Sequence, residues 1–228
     1  MHRFLISLLL ALGLSSLAPI TYAATPDEGE RLTRAAQFLD EVMRMPERAI
    51  PRTLFHDAYA IAVIPDVVKA SLVVGGRHGK GVISIKLPDG TWSTPSFMKL
   101  SGGSVGFQAG VQSTDVVLVF RSARGVDSIV DGKFTLGADA GVAAGPVGRY
   151  AQASTDGGLK AEIYSYSRSR GLFAGVALGG AVLSIDDRAN ARAFGPNTTA
   201  RAAFEGRTRQ TPAAVVDFRD RLEEYSAE

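Results

Sequence analysis

The sequence predicts an α+β domain: a strongly curved, mainly antiparallel β-sheet, barrel-like, with helices from both ends of the chain packed on it. Three observations predict it. Near both termini, apolar residues recur at three- and four-residue spacing, the period of a helix with one buried face. Between them lie β-branched runs of strand length, bounded by Gly, Pro and Asp. Finally, glycines recur at every fourth position in three stretches, Gly102/Gly106/Gly110, Gly137/Gly141/Gly145 and Gly171/Gly175/Gly179.

The chain opens with MHRFLISLLLALGLSSLAPITYAA. Arg3 supplies a short positive region, Phe4 to Leu14 an apolar core, and Thr21-Tyr22-Ala23 small residues where a signal peptidase reads. Residues 1–23 are therefore expected to be a cleavable signal peptide, and residues 24–228 a single domain. The chain has no cysteine, so neither lipoprotein acylation nor a disulfide is available to it, and an exported domain of this size must be held by its core. The expected location is periplasmic or secreted.

The first helix is read over residues 27–45, with Leu32, Ala35, Ala36, Leu39, Val42 and Met43 on one face, acidic residues in the first turn and Pro46 as the stop. Its apolar face either lies on a membrane or packs on the sheet. A short helix follows over 51–58, with Pro51 in its first turn. AIAVIP (60–65) reads as a strand stopped by Pro65. ASLVVGG (70–76) and GVISIKL (81–87) read as a hairpin whose tip is the basic Arg77-His78-Gly79-Lys80. Pro88-Asp89-Gly90 signals a turn, and TWSTPSFMKL begins another extended segment.

The three glycine series start 35 and then 34 residues apart, which suggests one supersecondary unit used about three times. A spacing of four is twice the period of a strand, so each series would keep one strand face bare, open to close approach by another backbone or a helix. DVVLVF (115–120) and KAEIYSYS (160–167) read as further strands, and AVLSID as a continuation of the third glycine-spaced strand. Residues 186–210 are polar and read as loop with room for a short helix. Thr211-Pro212 reads as the N-cap and first residue of a final helix striped by Val215, Phe218, Leu222 and Tyr225.

The chemistry-bearing motifs exclude more than they suggest. With 25 basic and 23 acidic residues there is no broad basic field for nucleic acid. Gly102-Gly103-Ser104-Val105-Gly106 has the form of a nucleophile elbow, but that turn needs a later histidine, and the histidines are His2, His56 and His78. No metal set is read: beyond His56 and His78 only Asp186-Asp187 offers paired ligands, and that pair is read as a solvated turn rather than a cation site. GADAGVAAGPVGR (137–149) lacks the Gly-Lys-Ser/Thr ending of a phosphate loop. No cofactor is expected, and the protein is read as not an enzyme. The remaining candidates are the basic residues Lys69, Arg77, Lys80, Arg149, Arg168 and Arg170, with Arg121 and Arg124, mostly at predicted strand ends. Gathered on one rim they would bind lipid head groups; otherwise they are scattered solubilising charge.

IAVIPDVVKASLVVGGRHGKGV, LPDGTWSTPSF, GGSVGFQAGVQSTDVVLVF, TLGADAGVAAGPVGR and AEIYSYSRSRGLFAGVALGGAVL occur in that order between about Ile61 and Gly195. In these segments the chain resembles the SYLF-domain family, also called the Ysc84-type actin-binding or DUF500 family. The resemblance implies lipid binding. Eukaryotic members are trafficking proteins that bind phosphoinositides, and some bind actin, with membrane contact placed on an N-terminal amphipathic helix and nearby basic residues. Residues 28–44 correspond to that helix by position only and carry acidic residues as well as basic ones. The chain shows no SH3 or FYVE partner domain, and with its signal peptide it looks like a bacterial, exported member, for which actin would not be the physiological partner. The expected partner is an anionic phospholipid or membrane surface. The rival reading is an envelope scaffolding module that binds protein through the same sheet.

Overall fold

The computed structural model describes residues 28–45, 49–71, 74–105, 110–147, 161–169, 172–176 and 178–227. The expected signal peptide, Arg149 and Arg170, and Gly106 and Gly171 of the first and third glycine series lie outside the described residues.

The chain begins with helix α1 (Glu28–Met43) and the short α2 (Arg52–His56). Four long strands follow: β1 (Ala60–Ser71), β2 (Val74–Ile85), β3 (Ser96–Val105) and β4 (Gly110–Phe120). Helix α3 (Ala123–Asp131) leads to the short β5 (Lys133–Thr135) and β6 (Val142–Ala144). Then come β7 (Ile163–Ser169), β8 (Leu172–Gly175), β9 (Val182–Ile185) and helices α4 (Asp187–Phe194), α5 (Ala200–Phe204) and α6 (Ala214–Ser226). The sheet order is β5-β9-β3-β2-β1-β4-β7-β6, with β8 paired to β7; among the described strand pairs β6–β7 is parallel and the others are antiparallel. The predicted α+β architecture is the observed one: a curled, mostly antiparallel half-barrel with the N- and C-terminal helices packed together on one face.

Both faces of the central strands are covered, which explains why AIAVI is apolar without alternation. Ile61 and Val63 face the core formed with α1, α2, α4 and α6, whereas Ala60, Ala62 and Ile64 face a second core closed by α3 and α5. The six predicted apolar positions of α1 are all buried against this layer. Fully burying one such Leu or Val contributes roughly 1.5–3 kcal/mol, so peeling this face away to meet a membrane would forfeit most of the helix's attachment. Of the two readings of that face, packing on the sheet is the one observed. In α6, Val215, Phe218, Leu222 and Tyr225 are buried as expected, although the helix starts at Ala214 rather than at Pro212. Trp92 Nε1 donates to Ser226 Oγ at 2.9 Å and fixes the far end of α6 to the β2–β3 connection.

Several expectations are corrected. Pro65 does not stop β1. The strand runs on to Ser71 through a bulge, where its register shifts between Val63 and Val68 against β2 and between Ile64 and Val67 against β4. A bulge leaves a residue outside the ladder, so the missing N–H of proline costs nothing there. Asp66 takes the left-handed conformation (φ 52). Because β1 continues, the hairpin turns between Ser71 and Val74, and Arg77 to Lys80 lie within β2 rather than at its tip. The glycine series are not three copies of one strand: Gly102 and Gly110 belong to β3 and β4, Gly137 sits in a turn with φ 84, and β9 is a separate strand rather than a continuation of β8. Residues 186–210 contain two short helices. Asp186, half of the acidic pair, N-caps α4 by accepting from Ala189 N at 3.3 Å and pairs with Lys99 at 3.1 Å.

Candidate functional site

Three hairpins point the same way. β1 ends at Ser71 and β2 begins at Val74, β3 ends at Val105 and β4 begins at Gly110, and β7 ends at Ser169 and β8 begins at Leu172; antiparallel pairing of β2 with β3, β1 with β4 and β4 with β7 brings these strand ends to one end of the sheet. That end extends beyond the helical layer. Val68, Val111 and Leu172 are exposed there, at 43%, 78% and 64%. The fourth large apolar residue exposed among the described residues, Val216, is on α6.

Basic residues flank this apolar edge. Lys69 and Arg77 are directly opposite one another across β1 and β2, on the same side as Val67 and the second core. Arg77 lies over Gly102 of β3, where a side chain would meet its Cγ at 3.6 Å. Lys80 and His78 alternate onto the helix-bearing face, with Lys80 opposite Lys99 of β3. Lys69 and Arg77 thus lie together near this end on one face, whereas Lys80 lies farther along β2 on the other face. Arg168 is also near this end, but its charge is engaged. Its guanidinium donates to Asp115 Oδ2 at 2.7 and 3.0 Å and to Glu41, and stacks 4.6 Å over the ring of Phe38. Arg168 therefore clamps α1 to β4 and β7, and is not a free cation of the rim. Arg124 pairs with Glu162 at 3.2 Å, away from this end.

A cavity of about 230 Å³ opens beside the rim, between α1 and the β1 bulge, lined by Arg31, Arg34, Pro65, Asp66, Val68, His78, Gly79 and Lys80. The bulge makes it. β1 kinks over Gly79 and Gly81, where added side chains would clash with Val67, Val63 and Ile64. Arg34 holds Asp66 at 2.8 Å and Glu30 at 2.5 Å, and Asp66 N donates to Asp115 Oδ1 at 3.0 Å, so the wall is tied to both α1 and β4.

Arg31 is the residue that the sequence reading missed. It is only 4% exposed, yet neither terminal nitrogen has a hydrogen-bond partner. Its nearest carboxylate, Glu28, is 3.9 Å away and already accepts two hydrogen bonds from Arg192. The guanidinium lies 5.2 Å from the centre of the Phe97 ring, and burial pushes its pKa below the ordinary arginine value despite the nearby Glu28. A signal was present: Arg31 is one turn before Ala35, on the same face as the apolar stripe of α1 and at its N-terminal end. Ser104, the elbow candidate, stands within β3 and not on a strand-to-helix turn. Among the described residues no group of three or more His, Cys, Asp or Glu converges as a metal site, and no helix is long and apolar enough to cross a membrane.

A family model described as "Ysc84: Las17-binding protein actin regulator" matches residues 101–225, which span β3 to α6. The chain belongs to the Ysc84 family. It is 38% identical to LAS seventeen-binding protein 3 of Saccharomyces cerevisiae over 176 residues, 76% of this chain and 38% of that protein. Protein YSC84 of the same yeast is 39% identical over 172 residues, 74% of this chain and 36% of that protein. The human SH3 domain-containing YSC84-like protein 1 is 32% identical over 199 residues, 85% of this chain and 58% of that protein. The chain thus spans less than two thirds of the length of these Ysc84 relatives, and its likeness to them covers the fold just described.

Proposed function

We propose that this Ysc84-family chain is a non-enzymatic, exported lipid-binding protein of the cell envelope that recognises anionic phospholipid surfaces. One observation carries the reading: the hairpin end of the sheet presents exposed Val68, Val111 and Leu172 beside Lys69, Arg77 and Lys80. Apolar side chains that enter the head-group layer, next to cations that meet its negative potential, are what peripheral membrane binding requires. This end is distinct from the apolar face of α1, which the core consumes.

Flotation with vesicles tests it. The protein is expected to float with phosphatidylcholine vesicles containing phosphatidylglycerol and much less with phosphatidylcholine alone. A cation near such a surface is worth about 1 kcal/mol, so Lys69→Ala should weaken partitioning about fivefold. Equal recovery with neutral and anionic vesicles would sink the electrostatic reading. The export part has its own test: protein recovered from a periplasmic extract should begin at Ala24. A chain that keeps Met1 and stays in the cytosol would refute it.

A second reading takes the same edge as a protein-binding surface. It is favoured by the family's description as a Las17-binding protein and actin regulator. A stoichiometric protein partner recovered from envelope extract, with no vesicle binding, would favour this reading.

A further inference from the structure

We propose that His78 makes the hairpin end of the sheet a pH-sensitive membrane contact, in which the protonated imidazole adds a cation beside Val68 and strengthens attachment. The inference deepens the membrane reading above by naming its regulation, and it rests on that reading.

His78 is the one member of the basic Arg77-His78-Gly79-Lys80 stretch whose side chain is of the type that changes charge between pH 5 and 8. Of the three histidines in the sequence, His2 belongs to the expected signal peptide and His56 to α2, which precedes the opposite end of β1. His78 is exposed and lies directly opposite Val68 across β1 and β2. The same cross-strand row continues to Ser113 on β4 and Ser101 on β3, which carry no charge. Side chains opposite one another in a sheet have β-carbons about 4.5–5.5 Å apart, so a bilayer that Val68 enters is within reach of the imidazole.

The charged groups around His78 come from every neighbouring element. Arg31 and Arg34 of α1, Asp66 of β1 and Lys80 of β2 line one cavity with it, and Lys99 of β3 lies opposite Lys80. The carboxylates are already engaged: Arg34 holds Asp66 at 2.8 Å and Glu30 at 2.5 Å, Lys99 pairs with Asp186 at 3.1 Å, and Arg168 holds Asp115 of β4 at 2.7 Å. Three cations thus line the cavity with one carboxylate, and an imidazolium at position 78 adds to that surplus. The negative potential of an anionic membrane favours the imidazolium over the neutral ring. Because the bound state favours the proton, the proton favours binding by the same factor. Attachment is therefore strongest on the acid side of the imidazole titration and weakens as pH rises through it.

Flotation of the full chain at about pH 5.5 and about pH 7.5 tests this. The vesicles are phosphatidylcholine with phosphatidylglycerol, whose phosphodiester stays ionised at both. Partitioning is expected to be about fivefold stronger at the lower pH, the effect of one added cation near the surface. His78→Asn should lose this difference and bind at both pH values as the wild type does at the higher one. His78→Lys, a permanent cation in the same place, should bind at both as the wild type does at the lower one. His56→Asn, on α2, should keep the full difference.

Equal wild-type partitioning at the two pH values overturns the inference. So does an undiminished difference in His78→Asn, which would place the responsible proton on other groups. In either case vesicles that still carry the protein leave the membrane reading standing. No flotation at either pH would refute both.

Discussion

Gly81→Ala should lower the unfolding free energy by about 3 kcal/mol or more, measured by urea or thermal denaturation. A β-carbon at Gly81 would lie 2.3 Å from Val63 O and 2.7 Å from Ile64 Cα. Those atoms are the backbone of β1 just before its bulge, buried on both sides, and they cannot rotate away as a side chain could. Relief would require β1 to lift from β2, which would also disturb the wall of the Arg31 cavity. Gly103 is the control. It lies in the neighbouring strand with nothing within 4 Å of an added β-carbon, so Gly103→Ala should change stability by no more than about 0.5 kcal/mol. If the two variants unfold alike, the packing of the bulge over β2 is wrong.

Gly175→Ala is the second large effect, with an expected loss of about 2–3 kcal/mol. Its β-carbon would stand 2.0 Å from Gly145 O and 2.7 Å from Gly145 N, again backbone. Gly145→Ala should behave similarly, because its β-carbon would meet the Tyr166 ring, itself stacked on Phe173 at 5.5 Å. Tyr166 is buried, which pushes its hydroxyl pKa well above the ordinary tyrosine value, and its ring has no free space to retreat into. Gly141 and Gly179, from the same two series, meet nothing within 4 Å and should accept alanine almost neutrally. Denaturation midpoints of the four variants check the contrast; equal losses at all four would mean that the spacing itself, rather than these two contacts, is what matters.

The glycines of GADAGVAAGPVGR thus have separate causes. Gly137 turns the chain with a positive φ, Gly141 is open, and Gly145 is wedged against β7 and β8. Reading the series as bare strand faces anticipated the close packing at Gly145 and Gly175, but not the turn. Spacing by four is shared by strands, turns and chance, and nothing local to the sequence distinguishes them. Proline at position 65 misled for a related reason. Its missing N–H argues against a regular strand, yet a bulge has a place for it, and the bulge is visible only once β1 is paired with both β2 and β4.

The site was legible in part. Lys69, Arg77 and Lys80 were readable as cations near strand ends; the strands pair Lys69 with Arg77 near one end of the sheet and leave Lys80 farther along β2. Arg168 looked the same in sequence. Its engagement became visible only when Asp115, from the paired strand, and Glu41, from α1, arrived beside it. Val68 and Val111 read as ordinary strand valines, and their exposure follows from the helical layer stopping short of the hairpin end.

By itself, then, the sequence determined the class of fold, the position of the terminal helices and the family, because periodicity and ordered motifs are local properties of the chain. The tertiary structure alone decided that Pro65 is bridged, that Arg168 is neutralised and that Arg31 is buried without a hydrogen-bond partner at its tip. Each of these depends on groups brought together from distant segments, and the energy of a buried charge or a bulge is set by what surrounds it.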